Sequence, residues 1–304
     1  MIGVIGVGDM GLPMSGHIVA RGFDVVAYDV DPDRLAAAAD CGATPASGLP
    51  EMAKMADIFV ACLRTDDQME AVVEELVAHG KPGQLIVVAG THSMAFMQRI
   101  AGIAKQKDIR LIDAPVVFGA QGARDGDLLS LCGGDEADVE RARPVMLSYS
   151  RGVEHVGPLG AGQLAKTCNN LLHWVHCVAN FETLAIAKRY RVDAQRMREV
   201  LLKCPGDNGT LRRWDSTRFT WQEKDMDFVI DLAQNGGLVL PPDKSGRPAH
   251  QDVDRVRRGR ALVRAGMHLP RTADRTAGEN RRWVIAPTRR RRGVRRSAAS
   301  ATGR

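Results

Sequence analysis

Lys166 and Asn170 stand four residues apart in the stretch 160–192, which contains no proline and, after Gly162, no glycine. If that stretch is a helix, the spacing stacks the amine and the amide on one face. The neighbours Leu164, Ala165, Leu171 and Leu172 are apolar, which is not the pattern of a solvated helix surface. A lysine in such company loses its charge readily, and an amine that titrates near neutrality serves as a general acid or base. The other reading of the same residue is a lysine at a helix start with its stem packed and its head in water. Both stand on this stretch alone.

A second group with chemistry in it opens the chain. Gly6-Val7-Gly8-Asp9-Met10-Gly11 follows the apolar run Ile2–Ile5 and precedes a helix-like segment, 12–21, that stops at Gly22. Gly-x-Gly-x-x-Gly between a strand and a helix allows backbone to approach a pyrophosphate, and the helix N-terminus turns its N–H groups toward the phosphates. Residues 24–28 then read as a second strand ending at Asp29, close to the spacing at which a carboxylate takes the adenosine ribose hydroxyls. Asp29 would repel a 2′-phosphate; no arginine follows it directly, although Arg34 lies nearby. The expected cofactor is therefore NAD rather than NADP.

These groups need a scaffold, and the chain supplies one. Segments 32–41, 66–78, Met94–Lys105 and 135–147 read as helices; 58–63, 85–89, 109–113, 128–132 and 153–156 read as strands. Strands alternating with helices of this length make an α/β fold with a doubly wound parallel sheet. Ligands bind such sheets at the carboxyl ends of the strands. That rule puts Leu63-Arg64-Thr65, Gly90-Thr91-His92 and the segment after Asp113 on one rim. The segment runs Asp113-Ala114-Pro115-Val116-Val117-Phe118-Gly119, with Gly122 and Gly126 beyond it, and is expected to be a substrate loop. His92 reads equally as a neighbour of a helix cap or as a functional group. His173, His176 and Cys177 have helical spacing without a third ligand element, so packing is expected there and no metal. The helix over 160–192 would be roughly 45 Å long, the spine of an all-α second domain. Its apolar residues surround much of its circumference, which predicts a homodimer or larger homo-oligomer.

Taken together, Gly6-Val7-Gly8-Asp9-Met10-Gly11-Leu12-Pro13-Met14, the Asp113-Ala114-Pro115-Val116 loop, Gly160-x-Gly162-x-x-x-Lys166-x-x-x-Asn170 and Lys224-Asp225 resemble the β-hydroxyacid dehydrogenase family. That family includes 3-hydroxyisobutyrate dehydrogenase and tartronate semialdehyde reductase and is kin to 6-phosphogluconate dehydrogenase. The resemblance covers roughly residues 1–241 and implies a Rossmann domain followed by a helical substrate domain. It implies Lys166 as general acid/base, Asn170 as the group that orients substrate, and Val117, Phe118 and Gly119 as the stretch that holds the substrate carboxylate. It also implies Gly6, Gly8, Met10, Gly11, Asp29, Leu63 and Thr91 around the dinucleotide, with Lys224 closing over the site and its charge helping to lower the Lys166 pKa. The substrate implied is a small β-hydroxy acid or its semialdehyde. Two departures stand out. Where the family has Ser-Gly-Gly this chain has Val117-Phe118-Gly119, and where it has Ser-Thr this chain has Thr91-His92, so the far end of the substrate is expected to meet a less polar wall.

A chain of 304 residues has room for both domains, read as 1–158 and 159–242. Hydrophobic content of 44% beside 26% charged residues is that of an ordinary soluble protein. No apolar run approaches the roughly 18 residues of a membrane span. The start reads as a strand rather than a signal peptide. Six scattered cysteines suit reduced thiols in a cytoplasm. Charge divides the chain sharply: residues 1–242 carry 24 Lys+Arg against 31 Asp+Glu, while 243–304 carry 18 against 5. That basic tail reads either as an arm for nucleic-acid phosphates or as an out-of-frame, disordered continuation that leaves the helical domain incomplete. The abrupt change of composition where the family pattern stops favours the second.

Overall fold

The computed structural model describes residues 1–217 and 222–238, all inside one compact unit, Met1–Leu262. The chain opens with β1 (Ile2–Ile5), α1 (Gly11–Ala20), β2 (Val25–Tyr28), α2 (Pro32–Asp40), β3 (Thr44–Pro45), α3 (Leu49–Met55) and β4 (Ile58–Ala61). Then come α4 (Asp66–His79), β5 (Leu85–Val88), α5 (Met94–Lys105), β6 (Arg110–Asp113), β7 (Val116–Val117) and α6 (Gly119–Asp125). The sheet finishes with β8 (Leu128–Gly133), α7 (Glu136–Met146) and β9 (Ser150–Gly157). Four helices follow among the described residues: α8 (Ala161–Arg189), α9 (Ala194–Leu201), α10 (Gly209–Arg212) and α11 (Gln222–Asn235).

Strands β1, β4 and β5 have the sequences Ile-Gly-Val-Ile, Ile-Phe-Val-Ala and Leu-Ile-Val-Val and are buried throughout. Unbroken apolar strands of this kind belong in a sheet covered on both faces. One core, around Val4, Ile18 and Tyr149, lies on one face, and another, around Ile5, Phe59 and Ile100, on the other. The strand order is β3-β2-β1-β4-β5-β6-β8-β7, with β9 beside β8. Pairing is parallel from β3 through β6. Strand β8 then runs antiparallel to β6 and β7 and parallel to β9. The order reverses between β1 and β4, and it is at such a reversal that a doubly wound sheet holds its ligand. The Rossmann sheet followed by a helical region is thus the architecture of the chain.

Short polar side chains start the helices on the ligand rim. Thr65 accepts from the Gln68 N–H at 3.2 Å ahead of α4, and Ser93 accepts from the Phe96 N–H at 3.1 Å ahead of α5. Each satisfies a donor the helix itself cannot. The segment after Asp113 is more structured than its glycines suggest. Val116 and Val117 pair with Ser130 and Leu129, as β-branched residues do when a partner strand is at hand. Helix α6 is anchored by His17, whose Nε2 lies 3.1 Å from the carbonyl oxygens of both Ala123 and Arg124. Tertiary contacts override the weak local propensity there.

No helix among the described residues is long and apolar enough to cross a membrane. The basic segment 243–304 lies outside the described residues, and both readings of it with it.

Candidate active site

Helix α8 begins at Gly160, which has φ +95° and offers no capping side chain. Its first N–H groups are taken by Asp113, at the end of β6 and fully buried. Asp113 Oδ1 accepts the Gly160 N–H at 2.6 Å, and Oδ2 accepts the Gln163 N–H at 2.7 Å. Burial pushes the Asp113 carboxyl above the usual carboxylate range, and these N–H bonds pull against it. Gly162 permits the close fit: a Cβ there would lie 2.7 Å from Asp113 Oδ2 and overlap the Leu131 carbonyl oxygen. Gln163 fixes the other side. Its Oε1 accepts the His92 N–H at 3.0 Å, and its Nε2 donates to the Gly90 carbonyl at 2.9 Å. The helix start is therefore locked to the ends of β5 and β6, with Lys166 one turn further in.

Lys166 Nζ donates to the Val116 carbonyl oxygen at 2.9 Å. Burial lowers its pKa below the usual lysine range, and the charge of Asp225 opposes that shift. This corrects the expected electrostatics: the charge that registers at Lys166 is the carboxylate of Asp225, not the ammonium of Lys224. Asn170 is buried, and its Oδ1 accepts from Asn169 Nδ2 at 3.2 Å. Asn170 also bonds Asp225, whose Oδ2 accepts from Trp174 Nε1 at 3.0 Å. Burial raises the Asp225 pKa, while the Trp174 bond and the charges of Lys166 and Lys224 lower it. Lys166, Asn170 and Trp174 recur at four-residue spacing on α8, so Asp225 of α11 faces one stripe of that helix. The sequence marked Asp225 only as the neighbour of Lys224.

Lys224 Nζ donates to the Arg64 carbonyl at 2.7 Å and the Thr91 carbonyl at 3.4 Å, so α11 is tied across the ends of β4 and β5. Its pKa is lowered by burial, against the charges of Asp66 and Asp225. His92 ties two elements of the rim together. Its ring is buried and Nδ1 lies 2.7 Å from Asp66 Oδ1, which joins the β5 rim to the first turn of α4.

The glycine turn sits at the sheet's reversal point. Gly6 has φ +84°, and a Cβ on it would lie 2.7 Å from the Cys62 carbonyl oxygen and 2.9 Å from Leu63 Cδ2. Only glycine fits. Gly11 lets α1 pack directly on the turn, where a Cβ would overlap the Gly6 carbonyl oxygen. Gly8 is different: a Cβ would meet nothing closer than the Arg34 guanidinium at 3.6 Å. Met10, at the N-cap position of α1, makes no side-chain cap, and the Leu12 N–H donates to the Gly8 carbonyl oxygen at 2.9 Å, which draws the turn onto the helix start. A phosphate-sized anion suits that cradle. Asp29 uses both oxygens on backbone, accepting the Val7 N–H at 2.9 Å and the Asp31 N–H at 3.0 Å. Arg34 lies against two carboxylates, 4.0 Å from Asp29 Oδ2 and 3.3 Å from Asp31 Oδ2.

The departure from the family's Ser-Gly-Gly has a visible consequence. Val117 is buried in β7 beside Leu129. Phe118 takes φ +85°, a left-handed conformation, and is 37% exposed. Gly119 follows at φ +63° with open space around it. The Arg151 and Arg213 guanidinium carbons lie 4.0 and 5.1 Å from the Phe118 ring centroid. His173 Nδ1 is 3.0 Å from Thr210 Oγ1, and burial with the charges of Arg213 and Lys166 holds its pKa at about 4. No group of three metal-ligating side chains occurs among the described residues. Lys166, Asn170 and the Val117-Phe118-Gly119 stretch are thus gathered on one side of the rim, with Gly6, Gly8, Met10, Gly11, Asp29 and Leu63 on the other and Thr91 and Lys224 between. Arg213, Asp225 and His173 complete the first group: Arg213 had no signature in the sequence, Asp225 was marked only beside Lys224, and His173 only as a packing residue.

Residues 1–157 match the family model for the NAD binding domain of 6-phosphogluconate dehydrogenase. Residues 160–259 match that for NAD-binding of NADP-dependent 3-hydroxyisobutyrate dehydrogenase, past the compositional change at 242. The 3-hydroxyisobutyrate dehydrogenase of Pseudomonas aeruginosa is 31% identical over 219 residues, 70% of this chain and 73% of that one. The same organism's NAD-dependent L-serine dehydrogenase is 30% identical over 213 residues, 69% of this chain and 72% of that one. The solved Mycobacterium tuberculosis 3-hydroxyisobutyrate dehydrogenase with L-serine superposes with a TM-score of 0.75 at 26% identity, over 86% of this chain and 93% of that one. Motifs, fold and matches agree: the chain is an NAD(P)-binding oxidoreductase of the β-hydroxyacid dehydrogenase family, to which 3-hydroxyisobutyrate dehydrogenase belongs.

Proposed function

We propose that this chain oxidises a small β-hydroxy acid to its semialdehyde, and runs the reverse reduction, with Lys166 moving the hydroxyl proton. The observation that carries this reading is the half-buried Lys166 amine, held by the Val116 carbonyl at 2.9 Å with its pKa lowered by burial. In the oxidative direction a neutral Lys166 takes the hydroxyl proton; in the reductive direction its ammonium returns it. The bound dinucleotide supplies the hydride acceptor. Asn170 offers an amide one helical turn from that amine to orient the reacting oxygen. The 117–119 backbone and its surroundings receive the carboxylate end. Gly6, Gly8, Met10, Gly11, Leu63 and Thr91 form the dinucleotide cradle, and Lys224 holds α11 across it. The family relatives support the substrate class, since 3-hydroxyisobutyrate and L-serine, for which they are named, are both short β-hydroxy acids.

NAD is the proposed cofactor over NADP. Arg34 lies between the Asp29 and Asp31 carboxylates, which offset its charge, and a 2′-phosphate at the ribose position would meet both acids. We place the chain in a homodimer or larger homo-oligomer, because Leu164, Leu172, Val175 and Ile186 leave apolar surface on α8 exposed. The test is the purified full-length chain given a panel of short β-hydroxy acids with NAD and with NADP in turn, read by appearance of reduced nicotinamide. Turnover of at least one acid with NAD preferred supports the reading. No turnover of any acid with either nucleotide contradicts it.

A further inference from the structure

The Val117-Phe118-Gly119 stretch is the place where this chain breaks from its family, and there guanidinium groups stand over an aromatic ring. Phe118 holds φ +85°. A bulky side chain is strained in the left-handed region, and strain of this kind persists where surrounding structure demands it, commonly at ligand sites. Two guanidinium groups lie over that ring, from Arg151 and Arg213. They are not equivalent. Arg151 Nε has a counter-charge, Asp127 Oδ1, at 3.5 Å. Arg213 has no carboxylate within ion-pair distance among the described residues; its guanidinium makes one long contact, 3.5 Å from Nε to the Gly209 carbonyl oxygen. It is solvent-exposed, and it sits on the residue next but one to Val116, whose carbonyl holds Lys166. A planar fork of N–H donors, weakly hydrated and pre-set on an aromatic face, is the group best suited to a carboxylate.

We propose that Arg213, held on the face of Phe118, receives the substrate's carboxylate in this chain and so sets its selectivity for acids over neutral alcohols. The inference rests on the β-hydroxy-acid reading for the identity of the anion, and on the Phe118–Arg213 arrangement for its location. In this arrangement Phe118 is a platform rather than a wall. Its ring turns the missing family hydroxyl into a cation site at the same loop.

The experiment has two arms, both on the full-length chain with NAD bound. In the first, turnover of 3-hydroxypropionate and of its neutral methyl ester is compared for the wild type, Arg213→Gln, Arg213→Lys and Phe118→Leu. The expected result is a KM for the acid raised at least about tenfold by Arg213→Gln, a smaller rise for Arg213→Lys and Phe118→Leu, little change in kcat, and an unaltered KM for the ester. An acid KM within twofold of wild type in Arg213→Gln overturns the proposal. The second arm needs no turnover: calorimetric binding of malonate, an unreactive dicarboxylate, to the wild type and to Arg213→Gln. Binding that the variant loses supports the assignment even if no hydroxy acid reacts, in which case the oxidoreductase reading alone falls. Equal binding in the two proteins, or none in the wild type, overturns the assignment while leaving that reading to its own test.

Discussion

Asp113 Oδ2 accepts the backbone N–H of Gln163 at 2.7 Å across fifty residues of chain. A helix that carries a catalytic candidate in its second turn is thereby capped by a strand, not by its own sequence. The carboxylate also holds the Gly160 N–H, so Asp113→Asn exchanges one acceptor oxygen for a donor facing N–H groups. Hydrogen bonds to charged groups contribute about 1.5–3 kcal/mol each. The variant is expected to lose about 2–4 kcal/mol in urea unfolding and to lose turnover with it. A loss under about 0.5 kcal/mol would show that the cap is dispensable.

Gly162→Ala attacks the same joint sterically. The added methyl would overlap the Leu131 carbonyl oxygen, which is sheet backbone, and stand 2.7 Å from Asp113 Oδ2, a side-chain oxygen on a carboxylate pinned by two backbone N–H groups. Alanine favours helix by up to about 1 kcal/mol over glycine, so propensity alone predicts a gain. The expected outcome is the opposite, a lower unfolding midpoint. A higher midpoint would contradict the packing described for this joint.

The Asp225 charge opposes the burial that lowers the Lys166 pKa. Removing it with Asp225→Asn, which leaves an oxygen for Trp174, should lower the Lys166 pKa further. Oxidation needs the neutral amine, so log kcat/KM rises with pH and levels off above the lysine pKa. In the wild type that plateau should begin below the ordinary lysine value of about 10.4. In Asp225→Asn it should begin at still lower pH. A shift to higher pH would contradict the assigned electrostatics.

His173 gives a stability prediction with a definite sign. Its folded pKa is about 4, below the ordinary histidine value of 6.5. As pH falls below 6.5 the unfolded chain takes up a proton that the native state refuses until about pH 4. Stability contributed by the neutral imidazole is therefore whole above 6.5 and drains away between those limits, by up to about 1.4 kcal/mol per pH unit. His173→Gln should lack that slope, so the stability difference between variant and wild type should change with pH across that window. Parallel stability–pH curves would contradict it.

Much of this was legible in the chain itself, for reasons that can be named. Unbroken apolar runs such as Leu85–Val88 and the glycines at 6, 8 and 11 are local signals, and local signals read directly. Lys166 and Asn170 were legible because four residues make one helical turn. What stayed hidden was non-local. Nothing near Gly160 announces that Asp113 caps it, and nothing near Phe118 announces Arg213, ninety-five positions later in the sequence. Helix α6 was hidden for a related reason, since its glycines argue for a loop and His17 argues otherwise from α1. The sign of the charge beside Lys166 was misjudged because Lys224 and Asp225 are adjacent in sequence, yet only Asp225 registers at that amine.

The most direct test is Lys166→Ala with the cofactor followed separately. NAD binding should be unchanged, because the cradle at Gly6, Gly8 and Gly11 is built by β1 and α1. Oxidation of the preferred β-hydroxy acid should fall by about 10²–10⁴-fold, with partial rescue by an added small primary amine. Wild-type-like turnover in that variant would contradict the assignment of proton transfer to Lys166.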